Sequence, residues 1–366
     1  MKILQIIQGL APGGAERFVV DLSNELAKTN DVYLFTWKRS GKGDFYRSQV
    51  QDNVHQISLD KPMTLMTKVY IAIYVIRLIL RIRPDVVQVH CQAFPYIILP
   101  SLLLRQSRYF YTVHNLAAND TKPGVSTWIR KKFLHINIHA VTISKICSDS
   151  FKDYYGYSDY ATIENGCRNI HTTDHLEDVQ QEIASYRKSP NTKVFLNVAR
   201  VVKEKNQVTL TKIFNKLIDK GFDVVILMIG NKELDPQITK DIMATIKYPD
   251  RIKLMGTRNN IPDYLHEVDY FCLPSLWEGL PISLLEAGMS GVYPVVTPVG
   301  GMPDVIKNKQ WGMLSKDTSE EAFEEAIKKA LALKIDKEEL SKLYNASYSM
   351  RGCADKYIHL YKSTKL

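Results

Sequence analysis

Short apolar runs that alternate with amphipathic segments restrict the fold of this chain more than any other feature. Six strand-like runs lie before residue 168 and five lie after residue 192, and the first two enclose a helical segment from about residue 14 to residue 28. Strands that alternate with helices in this way form a parallel sheet covered by helices on both faces. Because the alternation begins twice and 366 residues can bury two cores, the sequence predicts two doubly wound, Rossmann-like α/β domains.

A polar, irregular stretch separates the two halves of this pattern. We interpret residues 169–191 as a linker, which places one domain over residues 1–168 and the other over residues 192–344. The tail from about residue 345 to residue 366 has helical periodicity and no strand partner, so we expect it to pack back on the first domain. We expect the two domains to face each other across a cleft, because ligands of open α/β sheets bind at the carboxyl ends of the strands.

Neither a signal peptide nor a membrane-spanning segment is expected. The first apolar run is too short for a signal peptide. The runs Val69 to Leu80 and Tyr96 to Leu104 fall short of the ~20 residues that cross a bilayer, and we expect them to be core helices. Five scattered cysteines without a Cys-x-x-Cys pair predict neither a disulfide framework nor a zinc site, and they fit a reducing cytoplasm.

The net charge of +9 is concentrated in one region. Between residues 105 and 152 the sequence has eight Lys and Arg against two Asp, interleaved with aromatic residues. Two interpretations stay open: this surface docks on an anionic membrane, as a protein peripheral to the inner face of the cell membrane would, or it is an ordinary solvated basic surface. A nucleic-acid partner is not expected, because no recognised binding motif accompanies the charge.

Three loops carry residues suited to phosphate chemistry. Gly13 and Gly14 follow the first strand, where glycines and a helix start allow close approach to a phosphate, although a plain tight turn has the same composition. Arg200 and Lys205 follow the first strand of the second domain, where two cations can neutralise a diphosphate or form a solvated basic turn. Glu278 lies in a loop before a helix that starts at Pro281 and carries Glu286. These two carboxylates would face one pocket, or would only compensate the helix dipole.

Over nearly the whole chain, motifs in these loops and elsewhere resemble glycosyltransferase family 4, whose members are retaining enzymes of GT-B fold. The motifs are Gly13-Gly14-Ala15-Glu16, Thr112-Val113-His114, Ile143-Ser144-Lys145, Glu164-Asn165-Gly166, Ala199-Arg200 with Lys205, Ile229-Gly230, Glu278-x7-Glu286 and Gly300-Gly301. The last four, in this order and spacing, are the specific ones.

The resemblance implies a role for each matching residue. The second domain would bind a nucleotide-diphosphate sugar, with Arg200 and Lys205 on the diphosphate, Glu278 on the sugar hydroxyls and Glu286 on the ribose. The first domain would bind the acceptor, with His114 near the reacting centre and Gly13 and Gly14 over the phosphates. Backbone N–H groups of the segment before and into the helix would complete the diphosphate site, namely those of Gly279, Leu280, Pro281, Ile282 and Ser283.

The implied activity is transfer of a sugar, hexose-like and with retention of configuration, to a hydroxyl acceptor in bacterial surface polysaccharide or lipid-linked glycan assembly. A nucleotide-sugar epimerase of the same fold and a non-catalytic donor-binding subunit of a transferase complex are the alternatives. A dinucleotide-dependent oxidoreductase is disfavoured, because neither domain has the glycine fingerprint with its downstream acid.

We expect no metal and no cofactor. The sequence has no Asp-x-Asp triplet, and the two cations can stabilise phosphate charge as a magnesium ion would. The pairs His135 with His139 and His171 with His175 have the i,i+4 spacing of zinc ligands, but they lack a third ligand and we interpret them as helix-surface histidines. His90 ends a strand, where it is either a site residue or a satisfied core histidine.

Overall fold

The computed structural model describes residues 1–38, 45–60, 64–120, 125–134 and 136–365. The chain forms two compact units, one of Met1–Arg168 together with Tyr348–Leu366, and one of Asn169–Ser347. Residues 169–191, which we interpreted as a linker, start the second unit and contain a helix, Leu176–Tyr186. Only Val179 and Ile183 of this helix are buried. An apolar stripe of two residues is too narrow to distinguish a helix from a loop by periodicity.

Seven parallel strands form the sheet of the first unit: β1 (Lys2–Ile6), β2 (Asp31–Thr36), β3 (Val54–Ser58), β4 (Val86–His90), β5 (Arg108–Val113), β6 (Ile138–Thr142) and β7 (Tyr160–Thr162). Their order across the sheet is β3-β2-β1-β4-β5-β6-β7. The sequence did not predict β3. This strand pairs along one side only and is largely exposed, so its side chains lack the apolar run of the buried strands.

The helices that connect these strands are α1 (Gly14–Leu26), α2 (Leu65–Ile82), α3 (Pro95–Leu103), α4 (Ala117–Asp120), α5 (Val125–Phe133) and α6 (Lys145–Tyr155). One face of the sheet packs with α2 and α3 in an apolar core that includes Leu4, Val87 and Tyr109. Because successive side chains of a strand point to opposite faces, Gln5, Gln88 and Thr112 lie on the other face of the same strands.

Six parallel strands form the sheet of the second unit: β8 (Lys193–Val198), β9 (Val224–Ile229), β10 (Ile252–Gly256), β11 (Tyr270–Leu273), β12 (Tyr293–Val296) and β13 (Met313–Leu314). Their order is β10-β9-β8-β11-β12-β13. The helices that follow the first unit along the chain are α7 (Leu176–Tyr186), α8 (Gln207–Asp219), α9 (Pro236–Thr245), α10 (Ile261–Glu267), α11 (Ile282–Met289), α12 (Met302–Val305), α13 (Glu320–Leu331) and α14 (Lys337–Tyr348).

The last helix, α15 (Met350–Ser363), belongs to the first unit and packs against α1. Its Tyr357 lies with its ring 6.2 Å from that of Phe18, and its Tyr361 hydroxyl donates a hydrogen bond to Gln88. The helix therefore covers the sheet face that carries the polar side chains.

Each sheet has one point at which the strand order reverses, between β1 and β4 in the first unit and between β8 and β11 in the second. At such a point the loops after the two strands diverge and leave room at the carboxyl edge, which is where open α/β sheets bind ligands. The loops that sequence analysis singled out follow β1, β8 and β11. Both doubly wound patterns were therefore predicted correctly.

The two apolar runs predicted as core helices are only half buried. In α2 the residues Ile71, Val75 and Ile79 are buried on one side, while Met66 and Ile73 are exposed on the other. The prediction was wrong for the outer side, because an apolar side chain on a helix is no proof that the side chain is covered. Within the described residues, no helix is both long enough and apolar enough to cross a membrane.

Candidate active site

An ion pair lies at the point where the strand order of the second sheet reverses. The ammonium group of Lys205 lies 2.5 Å from Oε1 of Glu278, and the Ser275 hydroxyl donates a hydrogen bond of 2.7 Å to the same oxygen. The side chains of Lys205 and Glu278 are 14% and 8% exposed, so water screens this pair little. The loops after β8 and β11 are therefore joined by a buried, hydrogen-bonded charge pair.

Backbone contacts hold the two loops together around this pair. The N–H of Leu276 donates to the carbonyl oxygen of Glu204 over 2.8 Å. Asn206, next to Lys205, adopts a left-handed conformation with a φ of 58° immediately before α8 begins. This turn ends the short helical segment Lys203–Lys205 and directs the chain into α8.

The paired glycines after β12 are required by the Glu278 loop. Gly300 has a φ of 59°, and a Cβ atom there would lie 2.2 Å from the carbonyl oxygen of Glu278. The N–H of Gly301 donates to the carbonyl oxygen of Gly279 over 2.6 Å. A side chain at position 300 would both strain the backbone and displace the loop that carries the carboxylate.

Arg200 is the more accessible of the two predicted diphosphate ligands. Its guanidinium is half exposed and lies 3.7 Å from a carboxylate oxygen of Glu204, whereas its backbone oxygen accepts a hydrogen bond from the Gln207 amide. The main chain of Arg200 is therefore fixed while its fork of donors faces solvent, an arrangement suited to a planar, doubly charged ligand.

The predicted helix after the Glu278 loop begins one residue later than expected. Pro281 is the N-cap of α11 and not its first residue. Leu280 and Ile282 are buried, so their backbone groups alone could reach a ligand. Ser283 and Glu286 are half-buried and lie three residues apart on the helix, hence on one side of it. The N–H groups of the first helical turn have no partner within the helix, which favours an anion at this end.

Two histidines meet at the carboxyl edge of the first sheet. Nδ1 of His90, at the end of β4, lies 2.9 Å from Nε2 of His114, which follows β5. His90 is fully buried and His114 half-buried. The ring of Phe18 on α1 lies edge-on to that of His114, with the centroids 5.5 Å apart. The two open interpretations of His90 therefore converge, since it is a core histidine that directly contacts the predicted site residue.

A polar chain behind these rings assigns their protons. Nε2 of His90 lies 2.8 Å from Oε1 of Gln5, and the Gln5 amide donates to Gln88, whose own amide donates to Thr112 over 2.7 Å. Because the Gln5 oxygen can only accept, Nε2 of His90 carries the hydrogen and Nδ1 is an acceptor. His114 must then donate through Nε2, which leaves its Nδ1 unprotonated.

Both histidines are held in the neutral form. Burial lowers the pKa of His114 to about 3. Burial, and secondarily the neighbouring His114, hold the pKa of His90 well below its usual range. Neither ring therefore carries a charge near neutral pH, and His114 offers a neutral hydrogen-bond acceptor to any ligand beside it.

The glycine-rich loop after β1 runs into α1, with Gly13 as the N-cap in extended conformation. Gly14 is the first residue of the helix, and the N–H of Arg17 donates to the carbonyl oxygen of Gly13. This is a strand, turn and helix start at the switch point, as predicted. That Gly13 and Gly14 contact a donor phosphate stays a prediction.

The predicted histidine pairs do not form metal sites where the structure describes them. His171 and His175 precede α7, so they are not two positions of one helix. His135 lies outside the described residues. Across residues 1–38, 45–60, 64–120, 125–134 and 136–365, no three His, Cys, Asp or Glu side chains cluster as metal ligands would. All five cysteines are free.

The basic region 105–152 is less uniformly basic at its surface than predicted. Arg130 is buried, with its guanidinium 5.0 Å from the ring centroid of Phe94 and 5.1 Å from that of Tyr111. Arg108 donates a hydrogen bond to the Thr364 backbone. Lys131 and Lys132 are exposed, and Lys122 lies outside the described residues. Part of this charge therefore serves the packing of the first unit.

Sequence analysis missed the residues that orient the predicted ones. Ser275, Gln5 and Gln88 had no assigned role, although each contacts a predicted site residue directly or through one partner. A signal was present in the strands. Gln5, Gln88 and Thr112 are polar residues in otherwise apolar runs, and they occupy adjacent register positions of three neighbouring strands.

Two family models match the chain. The model described as Glycosyltransferase Family 4 matches residues 12–168, and that described as Glycosyl transferases group 1 matches residues 178–350. The first contains the His114 region and the second contains the Lys205 and Glu278 region. Together they account for nearly the whole chain.

Relatives with named activities align with part of the chain. A UDP-Gal:alpha-D-GlcNAc-diphosphoundecaprenol alpha-1,3-galactosyltransferase from Escherichia coli is 28% identical over 59% of this chain and 58% of its own length. An N,N'-diacetylbacillosaminyl-diphospho-undecaprenol alpha-1,3-N-acetylgalactosaminyltransferase from Campylobacter jejuni is 27% identical over 46% of this chain and 44% of its own length. The chain thus spans less than two thirds of the length of these relatives.

Solved structures share the fold over the full length of the chain. Anabaena Alr3699/HepE, solved in complex with UDP-glucose, has a TM-score of 0.82 at 16% identity and covers 100% of both chains. A glycosyltransferase from Rickettsia africae has a TM-score of 0.80 at 19% identity, covering 99% of this chain and 97% of its own. With two parallel α/β domains of this type and both family models matched, the chain belongs to glycosyltransferase family 4 and has the GT-B fold.

Proposed function

We propose that the chain transfers a sugar from a nucleotide-diphosphate sugar to a hydroxyl group of a lipid-linked or surface-polysaccharide acceptor. The observation that carries this proposal is the Lys205, Glu278 and Ser275 cluster beside Arg200 and the start of α11. Cations and a helix start at a sheet switch point are suited to a diphosphate, and the buried carboxylate beside them is suited to sugar hydroxyls.

The charges of this site match the charge that develops in glycosyl transfer. When the glycosyl–phosphate bond breaks, negative charge grows on the diphosphate and positive charge on the sugar. Arg200, Lys205 and the N–H groups at the start of α11 would stabilise the departing diphosphate more in the transition state than in the ground state. Glu278 would keep Lys205 oriented and also reach the sugar.

The acceptor class is inferred from relatives. The names of the Escherichia coli and Campylobacter jejuni relatives both specify a diphospho-undecaprenol-linked acceptor, and the Anabaena neighbour was solved with UDP-glucose. We therefore extend a UDP-sugar donor and a polyprenyl-diphosphate-linked glycan acceptor to this chain as a proposal. Action at the inner membrane face, with the basic region 105–152 toward anionic lipid, is part of the same proposal.

We further propose that the reaction retains the anomeric configuration and needs no metal ion. In this mechanism no carboxylate acts as a nucleophile, and the departing diphosphate takes the acceptor proton from the same face of the sugar. His114, neutral and with an unprotonated Nδ1, would accept a hydrogen bond from a sugar hydroxyl near the reacting centre. Turnover that is unchanged by a chelator would support the metal-independent part, and its loss would contradict that part.

Two alternative functions can be separated from transfer by product analysis. A nucleotide-sugar epimerase of the same fold would convert the donor without an acceptor. A non-catalytic donor-binding subunit would bind the donor and form no product with any acceptor. Incubation with donor alone and then with donor and acceptor, followed by product identification, distinguishes all three.

Arg200→Ala tests the phosphate site with little risk to the fold, because the guanidinium is half exposed. We expect turnover to fall by about a hundredfold, since one charge-assisted contact to developing phosphate charge is lost. Lys203→Ala is the matched control. Lys203 is an exposed cation in the same loop, and its removal should leave turnover within about twofold of the parent chain.

Donor identity is measurable in the same proteins by thermal shift. A cognate nucleotide sugar at a hundred times its dissociation constant should add about 2.7 kcal/mol of stability, and Arg200→Ala should reduce that gain. Equal turnover and equal donor stabilisation in Arg200→Ala, Lys203→Ala and the parent chain would remove the proposed role of Arg200.

A further inference from the structure

The outer side of α2 and α3 exposes large apolar side chains in an unbroken series. On α2, Leu65 is 79% exposed and Met66 83%, and Val69, Tyr70 and Ile73 continue the series at helical spacing. The two helices pack against each other, and Leu99 and Leu103 of α3 are 50% and 66% exposed. Single exposed apolar residues are ordinary in soluble proteins, but contiguous ones mark a surface that another phase or partner covers. We call this surface the α2–α3 face.

Cations continue the α2–α3 face toward the end of α2. Arg77 and Arg81 follow Ile73 on the same exposed side of the helix, and Lys68 and Arg105 are exposed close to the apolar residues in sequence. From residue 61 to residue 148 the sequence has twelve Lys and Arg against two Asp, which exceeds the net charge of +9 of the whole chain. The apolar surface is thus set in the most basic part of the molecule.

The α2–α3 face lies on the sheet side opposite to the polar chain of His90 and Gln5. Side chains of α2 and α3 pack on Leu4, Val87 and Tyr109, whereas Gln5 and Gln88 point to the other side of the same strands. An occupant of the α2–α3 face would therefore leave the two histidines uncovered.

We propose that the α2–α3 face docks on an anionic lipid surface, with the apolar side chains among the acyl chains near the headgroups and the cations on lipid phosphates. This inference rests on the proposed function for its purpose, because a lipid-linked acceptor lies at such a surface. It moves the docking element from the basic region 105–152 to α2 and α3. Charge complementarity selects the occupant, because anionic lipid attracts this face whereas a second copy of the chain would oppose it with like charge.

Vesicle sedimentation tests the docking directly. The purified chain is mixed with vesicles of phosphatidylcholine alone or of equal parts phosphatidylcholine and phosphatidylglycerol, at low and at high salt. We expect binding to the anionic vesicles, weaker binding at high salt because the attraction is screened, and little binding to the neutral vesicles.

Two substitutions on α2 separate this face from the rest of the surface. Met66→Glu together with Ile73→Glu should weaken binding to anionic vesicles by at least about tenfold, because each removes apolar contact and adds a repelled charge. Met243→Glu is the matched control. Met243 lies on α9 of the second unit and is 58% exposed, so this variant should bind as the parent chain does. Circular dichroism and unfolding midpoints verify that the three proteins are folded.

A second pair, Arg77→Gln with Arg81→Gln, adds no charge to the apolar surface and tests the cations alone. It should reduce binding and flatten its salt dependence. Undiminished binding by both double variants would overturn the proposal. So would a parent chain that is dimeric in solution and becomes monomeric on Met66→Glu with Ile73→Glu, since the face would then join two copies.

Activity measured on a water-soluble acceptor analogue keeps this test independent of the proposed function. Both α2 double variants should transfer sugar to that analogue as fast as the parent chain, since the substitutions lie away from the proposed phosphate site. Loss of vesicle binding with retained transfer supports docking, whereas a chain that binds vesicles and transfers nothing contradicts only the proposed function.

Discussion

The two sheet switch points have the same topology and opposite electrostatics. In the second unit, a buried cation and a buried carboxylate, Lys205 and Glu278, contact each other directly. In the first unit, the corresponding edge carries two neutral histidines and a chain of amides, with no charged partner in the hydrogen bonds that connect His90 to Gln88. One fold has thus been adapted to two kinds of ligand contact.

This difference shows what each site can do. A charged pair is oriented to meet a charged ligand, and its energy depends strongly on both members being present. A neutral relay fixes proton positions without adding charge, which suits contact to an uncharged hydroxyl group. Fold alone would not distinguish the two sites, because the distinction lies in the side chains at the strand ends.

The largest expected effect is the loss of one member of the charged pair. Lys205→Ala leaves the Glu278 carboxylate buried without its cation, and we expect a loss of about 3–5 kcal/mol in the free energy of unfolding of the second unit. Turnover should also fall by about a hundredfold or more, as for Arg200→Ala. Chemical unfolding and steady-state kinetics measure the two effects.

A second variant separates stability from chemistry at this pair. Lys205→Met with Glu278→Gln removes both charges, so most of the lost stability should return while turnover stays low. If stability does not return, the Lys205 penalty does not arise from an unpaired buried charge. If turnover returns, the pair has no role in transfer.

A smaller effect is expected at the neutral site, and it can be divided between two hydrogen bonds. In His90→Asn the amide oxygen replaces Nδ1 as acceptor from His114, whereas in His90→Gln the amide nitrogen replaces Nε2 as donor to Gln5. We expect His90→Gln to lower kcat by about tenfold and His90→Asn by less, because only the contact with His114 sets the tautomer of that ring.

His90→Gln and His90→Asn serve as controls for each other, since both remove the ring. Equal losses in the two variants, tracking only their unfolding midpoints, would mean that His90 fills space and does not orient His114. Donor-dependent thermal shifts, which report on the second unit, should be unchanged in both.

The smallest expected effect is the acid sensitivity of the neutral site. The folded-state pKa of His114 is lowered to about 3, so between pH 6.5 and pH 3 the unfolded chain binds this proton and the folded chain does not. Stability is therefore present above pH 6.5 and is lost as the pH falls, by about 1 kcal/mol for this group between pH 6.5 and pH 5.5.

Urea unfolding of the parent chain and of His114→Gln at these two pH values isolates that contribution. The variant should lose about 1 kcal/mol less than the parent chain between pH 6.5 and pH 5.5. Equal losses in the two proteins would show that His114 is not held neutral by burial.

Most elements that build the core could be predicted from sequence, and the ones that could not share a physical reason. Strands β2, β4, β8, β9 and β11 were predicted with the bounds that the structure has, because strands buried on both faces are continuous apolar runs. The strands β3 and β13 and the helix α7 were missed. The two strands lie at sheet edges and α7 buries only a narrow stripe, so their composition is that of loops.

The sequence by itself determined which residues could carry chemistry, because Arg200, Lys205, Glu278 and His114 follow strand ends in motifs that are visible in one dimension. Only the tertiary structure decided which of them meet. Lys205 contacts Glu278 across 73 residues, and Tyr361 contacts Gln88 across 273. Strand order and register set these partners, because a parallel sheet brings the ends of distant strands to one edge whatever their separation along the chain.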